Sequence, residues 1–77
     1  MNKRIFNTTL RAYQIRRPFK PFLVELVSGS VLEVRHPEGL VTQGGAAVYI
    51  EPDGDITIFD ADGVTKFSDR PTRRASA

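Results

Sequence analysis

The chain has one histidine, His36, and this residue closes the alternating run VLEVRHPEG at residues 31–39. A histidine acting as a general base needs a group that orients it, and Glu33 and Glu38 are the nearest carboxylates in sequence. Because the residue before a proline favours extended geometry, we expect His36 to be the last extended residue of a strand before Pro37. No nucleophile accompanies it. We therefore interpret His36 as an edge residue, packed or hydrogen-bonded, and predict no catalytic residue.

The acidic residues with a spacing that suggests metal binding lie around two turns: Asp53, Asp55, Asp60 and Asp62. A calcium loop with Gly63 at its sixth position would place Asp60 and Asp62 at its third and fifth positions. Its first ligand would then be Ile58, which has no oxygen in its side chain. We interpret these aspartates as solvated turn residues and predict no metal site.

Gly44 and Gly45 are candidates for a phosphate-binding loop. Glycines cradle a phosphate when a helix N-terminus follows them directly, and here a predicted strand follows instead. The chain also has no cysteine, which excludes disulfides, thiol nucleophiles and zinc–thiolate sites. The sequence predicts no cofactor.

Charge is strongly segregated along the chain. Residues 1–20 contain six basic residues and no acidic one, whereas residues 21–69 contain nine acidic residues and two basic ones. Basic segments therefore flank an acidic body. The basic residues that would contact a nucleic-acid backbone are Arg11, Arg16, Arg17, Lys20, Arg73 and Arg74.

The first predicted element is a short helix at about residues 7–16. Asn7 or Thr8 suits its N-cap, because a side-chain oxygen can accept a hydrogen bond from the first turn. Phe6, Leu10 and Tyr13 share one face, and a helix this short is stable only if that face packs onto the rest of the domain.

The segment RRPFKPF must end that helix, because proline fixes φ and extends the residue before it. Two interpretations remain for its Pro-x-x-Pro spacing. It is either a peptide ligand for a partner or a stiff connector that buries Phe19 and Phe22. We favour the connector, since the segment lies between two elements.

Two hairpins follow. In FLVELVSGSVLEV, a bulge at Gly29 with positive φ would pair Phe22 with Val34 and Val24 with Leu32, with these side chains facing the core. In the second hairpin, Pro52-Asp53-Gly54 has the residues of a turn. The same geometry pairs Ile50 with Ile56 and Val48 with Ile58, and we expect these four to face the core.

The predicted fold is mainly β, with a short N-terminal helix followed by four or five antiparallel strands. A sheet of so few strands cannot stay flat and have its apolar face well covered, so it is expected to curl into a small barrel. This favours an SH3-like or Sm-like barrel. Residues 1–69 are expected to form this single domain. Residues 70–77 are expected to form a disordered basic tail.

The run RPFKPFLVELVSGSVLEVRHPEG, with the later VYIEPDGDITIFD and VTKF, resembles a family of small uncharacterised bacterial proteins. That family's pattern is RPFxPF, DG, VxHPE, YxPDG and IxD in this order. The resemblance covers about residues 16–68. The chain has Ser28 and Ser30 where the family has Asp and Arg around the turn glycine. The resemblance implies no activity.

The remaining functional signal is an apolar set that alternates with the predicted core residues and is expected to face outward: Leu23, Val27, Val31, Tyr49 and Phe59. One short helix cannot cover all five, so the sequence favours a non-enzymatic module that binds a protein partner or forms a homo-oligomer. Nucleic-acid binding through the basic helix and tail is the alternative. The N-terminus lacks the apolar run of a signal peptide and no segment reaches membrane-spanning length, which predicts a cytoplasmic protein without membrane contact.

Overall fold

The computed structural model describes residues 1–70, so most of the predicted tail, residues 71–77 with Arg73 and Arg74, lies outside the described residues. The elements, in chain order, are α1 (Lys3–Gln14), β1 (Phe22–Leu26), β2 (Val31–Val34), a first 3₁₀ turn (Pro37–Gly39), β3 (Leu40–Gln43), β4 (Ala46–Ile50), β5 (Ile56–Asp60), a second 3₁₀ turn (Ala61–Gly63) and β6 (Val64–Asp69).

Helix α1 begins earlier in the chain than the predicted residues 7–16. Its N-cap is Asn2, whose Oδ1 accepts hydrogen bonds from two backbone N–H groups of the first turn at 2.7 and 3.3 Å. The expected cap, Asn7, lies inside the helix, and its Oδ1 accepts from the N–H of Gly45 at 3.0 Å. Both asparagines offer the same capping oxygen, so cap chemistry alone could not choose between them.

The buried face of α1 is the predicted one. Phe6 and Leu10 have no exposed surface, and Tyr13 packs against the same core. The ring centroid of Phe6 lies 6.0 Å from that of Phe59, and the ring of Tyr13 lies 4.8 Å from that of Phe22. These aromatic contacts hold a helix that would be marginal alone.

The first hairpin has the predicted register. Phe22 pairs with Val34 and Val24 with Leu32. Gly29 has a φ of 96°, so the turn uses the left-handed conformation that glycine adopts at little cost. Phe22, Val24 and Val34 are fully buried, which confirms the core face of this hairpin.

The connector before β1 also behaves as expected. Phe19 is half-buried against the core, with its ring centroid 6.1 Å from that of Phe22. The segment therefore contributes a side chain to the domain's own packing, which fits the connector interpretation.

The strands form two three-stranded antiparallel sheets. The first sheet has the order β2-β1-β6 and the second has the order β3-β4-β5. The two 3₁₀ turns carry the chain from one sheet to the other and back. Within residues 1–70 the fold is mainly β with one N-terminal helix, as predicted, but it has six strands, and its ladders form two sheets rather than one closed barrel.

The second hairpin has the predicted register and the opposite faces. Ile50 pairs with Ile56 and Val48 with Ile58, yet Tyr49 and Phe59 are the buried residues. The prediction that Tyr49 and Phe59 face outward was therefore wrong. Both faces of this hairpin are apolar, so alternation could not choose between them, and the bulky rings fill the space between the sheets and the helix.

Candidate interaction surface

The predicted outward patch is not assembled as one surface. Tyr49 and Phe59 lie in the core, and Leu23 is half-buried. Val27 and Val31 are 69% and 55% exposed, near the turn of the first hairpin. What remains of the patch is two valines at one end of the first sheet.

A larger apolar surface lies on the second sheet. Its exposed residues are Val41 (59%), Ile50 (45%), Ile56 (61%) and Ile58 (73%). Half-buried Val48 pairs with Val41 on one side and with Ile58 on the other, which makes one row across all three strands. We call these five residues the outer face.

The side chains that are buried in the core determine which residues of the second sheet form the outer face. Successive residues of a strand point to opposite sides of the sheet, so burying Ala47 and Tyr49 turns Val48 and Ile50 outward. Across the ladder, burying Phe59 does the same to Ile58. The sequence feature that could have indicated the buried face is the aromatic pair Tyr49 and Phe59, because aromatic rings fill a small core better than β-branched side chains do.

Helix α1 covers the β3 side of the second sheet. The Nε2 group of Gln14 donates to the backbone carbonyls of Pro37 and Leu40, both at 2.9 Å. Next to this contact, a groove of about 250 Å³ separates the helix from β3. Its lining is polar and consists of Asn7, Arg11, Gln14, Thr42, Gln43 and Gly44.

Acidic residues lie at both ends of β5. Asp53 and Asp55 are in the turn before it, where Oδ1 of Asp53 accepts from the N–H of Asp55 at 3.0 Å. Asp60 ends the strand, with its Oδ1 accepting from the N–H of Gly63 at 3.0 Å, and Asp62 follows it. All four aspartates are exposed, so the outer face has an acidic rim, which the Met1 ammonium group partly offsets at the Asp60 end, where it donates to the carbonyl of Ala61 at 2.9 Å.

The solvent side of α1 has the opposite charge. Ile5 and Ile15 are each more than half exposed, and Ala12 is exposed between them. Arg4 and Arg11 are also exposed and lie along the same side, because residues seven apart share a helix face. We call these five residues the helix stripe.

The basic residues predicted to bind nucleic acid are only partly available. Arg16 is half-buried: its Nη1 lies 2.7 Å from Oδ1 of Asp69 and its guanidinium lies 4.7 Å from the centroid of the Tyr13 ring. Arg11, Arg17 and Lys20 are exposed. Arg16 therefore links the segment just after α1 to β6 of the first sheet.

His36 lies two residues after the end of β2 and has the extended backbone expected before Pro37. It caps the first 3₁₀ turn with extended backbone, and its Nδ1 lies 3.7 Å from Oε1 of Glu38. Both side chains are substantially exposed, so this pair lies on the surface rather than in a pocket.

Residues 1–70 contain neither a cluster of metal-ligating side chains nor a helix that could span a membrane. No group of three or more His, Asp or Glu side chains among them is placed to hold a metal ion. No helix in this part of the chain is both long enough and apolar enough to cross a membrane.

Comparisons of the whole chain with protein-family models, with curated proteins and with solved structures give no match. The exposed surfaces of the chain itself are therefore the basis for assigning a function.

Proposed function

We propose that the chain is a non-enzymatic interaction module and that its outer face binds a protein. The observation behind this proposal is the row of Val41, Val48 and Ile58 across three strands, with Ile50 and Ile56 beside it. Exposed aliphatic residues scattered singly are ordinary, but contiguous ones rimmed by charge are typical of protein interfaces.

The energetics favour a partner on this surface. Removing apolar surface from water contributes about 25 cal/mol per Å², from which the cost of lost translational and rotational freedom is subtracted. Valine and isoleucine have few rotamers to lose when a partner covers them, so little of that gain is offset by side-chain ordering. A flat aliphatic sheet face is thus suited to binding a helix or a second sheet.

Nucleic-acid binding is the second candidate function, and the exposed Arg11, Arg17 and Lys20 favour it. It is the weaker candidate because Arg16 is held by Asp69, and the acidic rim repels phosphate. Binding of this kind would be independent of sequence and would weaken steeply with salt. A gel shift at low salt with a mixed-sequence duplex and a single strand tests it, and no shift with either removes it.

We also propose a relationship to SH3-like or Sm-like barrels. Its support is the order of neighbouring strands. In the first sheet β1 lies between β2 and β6, and in the second β4 lies between β3 and β5. The first 3₁₀ turn connects β2 to β3, and the second connects β5 to β6. If β2 with β3, and β5 with β6, each formed one long strand bent at a 3₁₀ turn, the same order of neighbours would describe a small barrel.

We also propose that the chain belongs to the bacterial family with the RPFxPF and YxPDG blocks and that it is cytoplasmic. The two sequence blocks, which agree in order and spacing, support the first.

Site-specific photo-cross-linking tests the proposed function. A benzoylphenylalanine in place of Ile58 should give a discrete cross-linked protein adduct in cells that express the chain. The same residue in place of Val31, which is comparably exposed on the other sheet, is the control and should give none. Adducts from neither position, or from Val31 alone, would contradict the proposal.

A further inference from the structure

We propose that the partner on the outer face is a second copy of this chain, which docks through its helix stripe. This inference rests on the proposed function of the outer face and names its occupant. It is carried by two surfaces of the same chain that each expose aliphatic side chains and that have opposite charge.

Charge complementarity selects the second copy. The outer face is bordered by Asp53 and Asp55 at one end and by Asp60 and Asp62 at the other. Packing two outer faces against each other would bring these aspartates together, and like charges across an interface cost free energy. The helix stripe instead offers Arg4 and Arg11 beside Ile5 and Ile15, so its charges meet the rim while its aliphatic side chains meet the sheet.

The position of the two surfaces permits a closed dimer. Arg11 of the stripe and Gln43, which lies on the same side of β3 as Val41, line the same groove, so the stripe and the solvent side of the second sheet adjoin across it. A twofold axis along this groove places the stripe of each copy on the outer face of the other. Such an interface closes after two copies, whereas a one-way contact would extend into a chain of copies.

The area involved also favours the reciprocal arrangement. Three strands about 4.8 Å apart, with up to five residues of about 3.4 Å each, give the solvent side of the second sheet roughly 250 Å². A 12-residue helix is about 18 Å long and 10 Å wide, which adds roughly 180 Å². Each copy then contributes about half of the roughly 800 Å² per partner that a standard interface buries, so we expect a weak, reversible dimer.

Sedimentation equilibrium of the purified chain over a range of concentrations tests the dimer. We expect a monomer–dimer equilibrium in the micromolar range that weakens as salt is raised. Ile58→Asp should abolish the dimer, because it buries a charge at the centre of the contact. Val31→Asp, the matched control on the first sheet, should leave the dimerisation constant unchanged.

Charge reversal distinguishes this arrangement from other dimers. Arg4→Glu with Arg11→Glu should weaken dimerisation at least about tenfold, and so should Asp55→Lys with Asp62→Lys. The side chains of Asp55 and Asp62 make no hydrogen bond or ion pair within residues 1–70, so their replacement breaks none there. Mixing the two variants should restore one of the two contacts and hence part of the affinity, because opposite charges again meet at it.

The outcomes separate this inference from the proposed function. A strict monomer at all concentrations, or a dimer that Arg4→Glu with Arg11→Glu leaves intact, overturns the inference. If photo-cross-linking at Ile58 then gives an adduct with the mass of a different protein, the outer face still binds a partner and only its identity was wrong. If Ile58 gives no adduct either, both proposals fail. An adduct of twice the chain's mass supports both.

Discussion

Gly29 and Gly39 are both glycines for physical reasons, and only one of these reasons was visible in the sequence. Gly29 has a φ of 96° in the first hairpin turn, where a bulge required it. Gly39 lies in the first 3₁₀ turn, and a Cβ there would collide with the backbone carbonyl oxygen of Ile50. The second reason depends on a contact between residues distant in sequence, which local pattern cannot supply.

At Gly29, replacement by alanine should destabilise the fold by about 1–2 kcal/mol, because an L-residue is strained at positive φ. No atom lies within 4 Å of the added Cβ, so the cost is backbone strain alone. Urea denaturation followed by circular dichroism measures it. Gly29→Asn is the control and should cost less, since asparagine tolerates the left-handed region. Equal stability of wild type and Gly29→Ala would contradict the described turn.

At Gly39, alanine should destabilise the fold by about 1–3 kcal/mol, the usual range for overpacking in a close-packed site. The obstacle is backbone and cannot move aside as a flexible side chain would. The same urea titration measures the loss. A mutant as stable as the wild type would show that the first 3₁₀ turn does not pack against the end of β4.

At the scale of elements, the first hairpin was predictable in both register and face, whereas the second was predictable in register alone. In the first, one face is apolar and the other carries Glu25 and Glu33, so burial has one solution. In the second, Val48 and Ile50 alternate with Ala47 and Tyr49, and either set could face inward. The choice is made by packing against Phe6 of α1, which lies far away in sequence.

The assignment of faces in the second hairpin has a direct mutational test. Phe59→Ala should cost about 3–5 kcal/mol, because it empties a core position against the ring of Phe6. Ile58→Ala, one residue earlier, should change the stability of the monomer by less than about 0.5 kcal/mol, because its side chain lies in solvent. Thermal unfolding at low protein concentration compares the two. The reverse ranking would restore the faces expected from the sequence.

At the scale of the whole molecule, the segregation of charge gives the chain two unlike surfaces. The basic residues of the first 20 positions fall mainly on α1 and its connector, and the aspartates of residues 53–62 border the outer face. The sequence showed the segregation but could not show which apolar residues each charge surrounds. That depends on the faces of the second hairpin and on where α1 docks.

The central claim is that the outer face becomes covered by a second copy as concentration rises. Methyl NMR with a soluble paramagnetic agent measures this at each valine and isoleucine. We predict that the methyl groups of Val41, Ile56 and Ile58 are accessible to the agent in dilute protein and become protected at high concentration, while those of Val27 and Val31 stay accessible throughout. Methyl groups of the outer face that remain equally accessible at every concentration would contradict the claim.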